Sequence, residues 1–270
     1  MKKLILILLI LILLAVFAFS GWQVYKIWNE YRVGEKTYAS LETYVVMPET
    51  TTPTEPVQTE SQPAQSPSEP VEEVPVEEAG IRWPQVDFAA LQEINPDVVG
   101  WIYIEGTQVN YPIVQGKNND KYLYRMITGE YNSAGSLFLD AEVERDFSDR
   151  NNAVYGHNMK NGSMFAGIMG YKGQEFYQKH PVILLLTPDR NYQVHIFSAY
   201  VLSAHGDAWD TSFSDESFGK WLDRRISRSY IETDVVPTAQ DRVLTLSTCT
   251  YENRNSRFLV HGILVPEEES

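Results

Sequence analysis

The alternation of apolar and polar positions divides the chain into four stretches of different kind. Residues 4–19 are apolar without a break and follow Met1-Lys-Lys3; Ser20, Gly21 and Trp22 extend the run to 19 residues. A bilayer core of about 30 Å needs roughly 20 such residues. Residues 1–22 therefore read as a transmembrane signal anchor, with the lysines holding the amino terminus in the cytoplasm and the remainder facing outward. A cleaved signal peptide is the rival assignment, with Ala18-Phe-Ser20 as its small-residue processing site. The unbroken run favours the anchor. So do Trp22, Tyr25, Trp28 and Tyr31, which share one side of a continuing helix at the level of an interfacial belt. Residues 23–46 mix polar and aromatic positions and predict a juxtamembrane helical segment with an interruption near Gly34.

Residues 47–80 change character. They hold seven of the fourteen prolines and eight glutamates, with no aromatic residue, lysine or arginine. Such a stretch has too little apolar surface to build a core and reads as a disordered, extended linker. In a polyproline-like state it would reach on the order of 100 Å, as a tether between anchor and folded domain.

Residues 81–266 form the fourth stretch, of a size suited to one domain. Residues 87–94 predict a short helix ended by Asn95-Pro96. Strand patterns follow at 98–104, 109–114, 136–139, 153–155, 182–187, 192–202, 243–248 and 258–265. Eight short strands broken by turn residues point to a mostly β domain, a closed or nearly closed barrel with inserted helices. Helices are expected at 121–126, at 163–171 with Ser163 as N-cap, and at 215–228, where Phe218, Trp221, Leu222 and Ile226 share a face.

The formal net charge is −14, and no basic run exceeds Arg224-Arg225. That balance excludes a nucleic-acid partner, which requires a positive face. No zinc-ligand spacing, phosphate-binding loop or dinucleotide fingerprint occurs, so no metal or cofactor is expected.

Cys249 is the sole cysteine, which rules out an internal disulfide. A buried, inert cysteine is the plain alternative, but Ser247, Thr248 and Thr250 are polar company for a space-filling residue. Cys249 ends the run that starts at Val243, and Arg257 opens the run that ends at Val265. As neighbouring strands, these put a thiol and a guanidinium at one end of a sheet, the setting for a thiolate nucleophile. Arg254 is a rival, held mid-loop. The nucleophile needs a proton carrier, and histidine serves near neutral pH. Of the five histidines, His261 reads as a packed strand residue, His180 as a turn residue and His195 as mid-strand. His205 lies in a loop and is a second choice. His157 follows a strand and Gly156 and enters a glycine-bounded loop, a place where a rigid scaffold presents a side chain to a cleft.

These residues resemble a class B sortase of Gram-positive bacteria. The matching motifs are Thr245-Leu-Ser-Thr-Cys249, Arg257-Phe-Leu-Val-His-Gly262 and Tyr155-Gly-His157-Asn158. Asn95-Pro-Asp-Val-Val-Gly-Trp-Ile102, Tyr111-Pro-Ile-Val-Gln115 and Gly135-Ser-Leu-Phe-Leu-Asp140 are also similar. The resemblance covers residues 82–265 and the anchor. It implies a closed eight-stranded sortase barrel, with the helix at 215–228 as the long helix before the cysteine strand. It implies a cysteine transpeptidase that cleaves an Asn-Pro-x-Thr-type sorting signal of an exported protein through a thioester. The acceptor would be an amine of a peptidoglycan precursor or a pilin. Cys249, His157 and Arg257 would be catalytic, with the Phe-Leu-Val-His sequence after Arg257 choosing it over Arg254. Tyr155, Ser247, Asn119, Leu123, Tyr230 and Ile231 would bind the signal. An exported cysteine protease that only hydrolyses, and a non-catalytic module binding cell-wall peptides, are the competing readings.

Overall fold

The apolar runs of the fourth stretch become the staves of a closed barrel. The computed structural model describes residues 2–48, 83–250 and 255–267. Helix α1 (Lys2–Leu41) leads through a 3₁₀ turn (Glu42–Tyr44) into the short strand β1 (Val45–Val46). The chain is described again from Trp83 and enters β2 (Gln85–Val86), α2 (Phe88–Ile94), β3 (Val98–Tyr103), β4 (Asn110–Val114), β5 (Leu137–Leu139) and β6 (Asn151–Gly156). A 3₁₀ segment (Gly167–Lys172) and α3 (Gln174–Lys179) precede β7 (Val182–Leu186) and β8 (Tyr192–Ser203). Helix α4 (Asp215–Ile226), β9 (Val243–Cys249) and β10 (Ser256–Pro266) complete the chain.

Strands β3 to β10 close the barrel in the order β10-β8-β7-β3-β4-β5-β6-β9. The β4–β5 and β6–β9 pairs are parallel and the remaining pairs antiparallel. Side chains alternate across each strand. Leu244, Leu246, Phe258 and Val260 join the barrel core. Thr245, Ser247 and Cys249 therefore lie on the outer face of β9, and Arg257 on the outer face of β10.

Helix α4 covers part of that face. Its N-cap is Ser214, whose side chain accepts from Ser217 N at 3.2 Å, which satisfies a backbone donor left over at the helix start. Phe218, Trp221 and Leu222 pack with Phe197 and Val243 in a second cluster. Fully buried Arg225 is paired with Asp207 at 2.6 Å, and Trp221 Nε1 donates to the Asp207 carbonyl at 2.7 Å. The helix thus holds the loop that follows β8.

Several expectations need correction. Residues 121–126 form turns rather than a helix. Asn118 Oδ1 accepts from both Asp120 N and Lys121 N. The Tyr122 and Tyr124 carbonyls accept from Ser136 N and Asn132 N, so they are committed to a distant segment and not to an i+4 ladder. Residues 163–171 are likewise not one helix: the 3₁₀ segment begins at Gly167 with Ala166 at its cap and no side-chain cap bond, so Ser163 is not an N-cap. Gly34 does not interrupt α1; it is buried within it, close to the Asn132 side chain and Ala134.

The stretch 49–82, like Arg254, lies outside the described residues. Its flanks are nevertheless tied together. Val45 pairs with Val86 and Val46 with Gln85, and Asp87 N donates to Tyr44 O at 2.9 Å. Tyr38 and Leu41 of α1 join the barrel's own core cluster. Residues of α1 and β1 thus pack with the unit that resumes at Trp83.

Candidate active site

Strand register assembles the site. Tyr155 pairs with Ser247 and Gly156 with Thr248 in the parallel β6–β9 ladder. Cys249 pairs with Arg257 in the antiparallel β9–β10 ladder. His157 follows Gly156 directly, so imidazole, thiol and guanidinium carriers end three adjacent strands at one rim of the barrel. Thr248 Oγ1 donates to Gly156 O at 2.8 Å and Asn158 Nδ2 to Cys249 O at 3.0 Å, which cross-links the two strand ends.

Gly156 has a steric reason. A Cβ there would lie 2.4 Å from Leu137 Cδ2 and 2.6 Å from Phe165 Cδ2, well inside van der Waals contact. A side chain at this position would force Leu137 and Phe165 to shift beneath the residue that precedes His157.

A cleft of about 410 Å³ opens over this rim. Cys249, His157, Arg257, Tyr155, Ser247, Asn119 and Leu123 all line it. Cys249 is partly exposed, not sealed in the core. The His157 ring lies 5.6 Å from that of Tyr124, and its Nε2 is 2.6 Å from the Leu123 carbonyl. A carbonyl only accepts, so Nε2 carries hydrogen and Nδ1 is the nitrogen open to proton exchange. Arg257 Nη1 donates to Ser256 O at 3.2 Å.

Tyr155 stacks on Phe138 with ring centroids 5.2 Å apart and donates to Asp140 Oδ2 at 2.6 Å. Burial, reinforced by the Asp140 carboxylate, holds its phenol well above the usual tyrosine range, so it remains a neutral donor. Asn119 Oδ1 accepts from Ala141 N at 2.8 Å, which fixes the amide at the cleft edge.

Tyr230 and Ile231 are not among the residues that line the cleft. Ile231 is buried in the core cluster, and Tyr230 N donates to Ala199 O at 2.8 Å beyond the end of α4. Trp209, which sequence reasoning passed over, lines the wall instead and donates from Nε1 to Ser247 Oγ at 3.3 Å. Its signal was faint: one tryptophan in the polar run Gly206-Asp-Ala-Trp209-Asp. Phe138 and Asp120 also line the cleft. Among the described residues no group of three or more His, Cys, Asp or Glu is placed to hold a metal ion. The cleft thus gathers a thiol, an imidazole and a guanidinium around one opening, groups that suit covalent thiol chemistry.

Comparison with known proteins agrees. A family profile described as "Sortase domain" matches residues 102–265. Sortase B of Staphylococcus aureus (strain NCTC 8325 / PS 47) is 37% identical over 176 residues, covering 64% of this chain and 72% of that protein. Sortase B of Listeria monocytogenes serovar 1/2a is 37% identical over 178 residues, 65% and 72% of the two chains. Among solved structures, sortase B from B. anthracis in complex with AAEK1 superposes with a TM-score of 0.70 at 33% identity, covering 89% of this chain and 100% of that one. A Staphylococcus aureus sortase B–substrate complex gives 0.64 at 35% identity, covering 67% and 85%.

Proposed function

This chain belongs to the sortase family and is a cysteine transpeptidase of the sortase B kind, acting in cell-wall anchoring of surface proteins, and we propose that Cys249, His157 and Arg257 are its working groups. The observation that carries the assignment is the register that ends β6, β9 and β10 together, with Cys249 opposite Arg257 and His157 one residue past the Gly156–Thr248 pair.

Cys249, as thiolate, attacks the threonine carbonyl of an Asn-Pro-x-Thr-type sorting signal. A sulfur–carbon bond forms, and the carbonyl oxygen becomes negative. The Arg257 guanidinium steadies that oxygen and the bound signal with directional donors. The carbon–nitrogen bond then breaks, and imidazolium His157 gives its Nδ1 proton to the departing amine. An acceptor amine of a peptidoglycan precursor, or of a pilin, enters the vacated place. It surrenders a proton to His157, forms the new amide, and returns the thiolate. Two modest barriers replace one high one.

The signal lies in the cleft against apolar Leu123, Phe138 and Trp209, with Asn119, Tyr155 and Ser247 as polar partners. Helix α1, whose amino-terminal part is apolar and exposed, holds the enzyme in the membrane with the barrel outside the cell. Product analysis tests the reading. With a signal peptide and added triglycine, transfer product should exceed hydrolysis product. Hydrolysis alone at saturating amine would make the protein an exported protease instead.

A further inference from the structure

The outer half of α1 is wedged against the segment that builds one wall of the cleft. Gly34, Tyr38 and Leu41 are the buried positions of the helix. They fall three to four residues apart and so share a face. The Tyr38 ring meets Tyr111 edge-on at 5.4 Å, and its hydroxyl donates to the Gly135 carbonyl and lies 3.1 Å from Ser136 Oγ. Asn132 Nδ2 donates to the Glu30 carbonyl at 2.9 Å, and Asn161 Nδ2 to Glu35 Oε1 at 2.8 Å.

From Gly135 and Ser136 the contacts run straight to the proposed catalytic histidine. Ser136 N donates to Tyr122 O at 3.0 Å, and Ser136 Oγ to Arg125 O at 2.9 Å. Gly135 has φ +57°, and a Cβ there would lie 2.4 Å from Leu123 O. That same Leu123 carbonyl receives His157 Nε2 at 2.6 Å, while Leu123 and Asn119 line the cleft. Asn161 belongs to the loop that leaves His157. The helix therefore holds the Gly135–Ser136 segment that abuts the carbonyl orienting the imidazole, and through Glu35 the loop that follows it.

We propose that Tyr38 is a positioning residue for the cleft: through Gly135 and Ser136 it fixes the Tyr122–Arg125 turn, and so orients His157. The proposal rests on the role assigned to His157 above. It makes the docked helix a working part of the enzyme as well as its attachment. An imidazole turned by a small angle still leaves the peptide site intact but places its proton badly for the leaving amine. The predicted signature is thus a loss in kcat and not in KM.

The test is made on the full-length chain in detergent, with Tyr38→Phe, which keeps the ring and removes the hydroxyl. The readouts are thermal melting and the steady-state transfer of a signal peptide to triglycine. Loss of one hydrogen bond of ordinary strength predicts about a fivefold fall in kcat at unchanged KM. Ser136→Ala should act in the same direction. The double variant should fall short of the product of the two effects, because the residues act through one path. Lys36→Ala, on the exposed side of the helix, should leave the rate unchanged. A folded Tyr38→Phe enzyme with wild-type kcat, or a loss confined to KM, would overturn the proposal. If Tyr38→Phe does not fold, wild-type kcat in Ser136→Ala overturns it equally. A wild-type enzyme that transfers nothing would instead indict the assignment of the site itself.

Discussion

Cys249 and Arg257 face each other as direct partners across the β9–β10 ladder, on the outer face of the barrel. Cross-strand partners have Cβ atoms about 5 Å apart, so the two side chains leave the sheet side by side whatever loop joins the strands. Arg257→Lys keeps the charge and loses the planar fork. Turnover of a signal peptide should fall by about a hundredfold, the scale of losing a directional oxyanion donor. Near-wild-type turnover would remove Arg257 from the chemistry.

Trp209 forms an apolar wall and is pinned to Ser247. Trp209→Ala should raise KM for the signal peptide by about tenfold or more, because burial of a large aromatic is worth a few kcal/mol. The Michaelis constants of the two enzymes decide it. Equal values would place the peptide elsewhere.

The pairing of β1 with β2 and the packing of α1 on the barrel predict that the two parts stay together without an unbroken chain between residues 49 and 82. A site-specific protease sequence inserted after Gln62 allows the chain to be cut there. After complete cutting the barrel should still sediment with membranes. Release of the barrel into the supernatant would show that the docking is too weak to hold it.

His261 is fully buried beside Arg225, and burial, then that cation, holds its imidazole well below the usual histidine range. Thr245 Oγ1 donates to Asn151, so it accepts from His261 Nδ1, while Nε2 accepts from Tyr200. Both bonds suit the neutral ring. Below the unfolded value of about 6.5, the unfolded chain takes up a proton that the native state refuses, so stability falls with pH. Melting temperature should decline from pH 7 to pH 5, and His261→Gln should flatten that slope. An unchanged slope in the variant would assign the acid sensitivity to other groups.

How much of this the chain disclosed depends on range. The paired runs flanking residues 250–256 announced Cys249 and Arg257, because two strands joined by a short loop have few ways to pair. His157 was legible from its glycine-flanked strand end. The places of Trp209, Tyr230 and Ile231 were not, because the loops that carry them are fixed by distant contacts, Asp207 with Arg225 and Tyr230 N with Ala199 O. The turn at 121–126 looked helical because its carbonyl partners, Asn132 and Ser136, lie beyond any local window. The docking of α1 was hidden for the same reason: Tyr38 and Gly135 are 97 residues apart, and a proline-rich stretch between them suggested separation.

The central claim concerns one sulfur atom, and intact-mass measurement addresses it directly. Wild-type protein incubated with an Asn-Pro-x-Thr-type peptide and no added amine should gain the mass of the peptide through its threonine, with loss of the fragment beyond. The adduct should disappear on addition of triglycine or hydroxylamine and be absent from Cys249→Ala. An adduct that persists in Cys249→Ala, or peptide cleavage by that variant at the wild-type rate, would contradict the account.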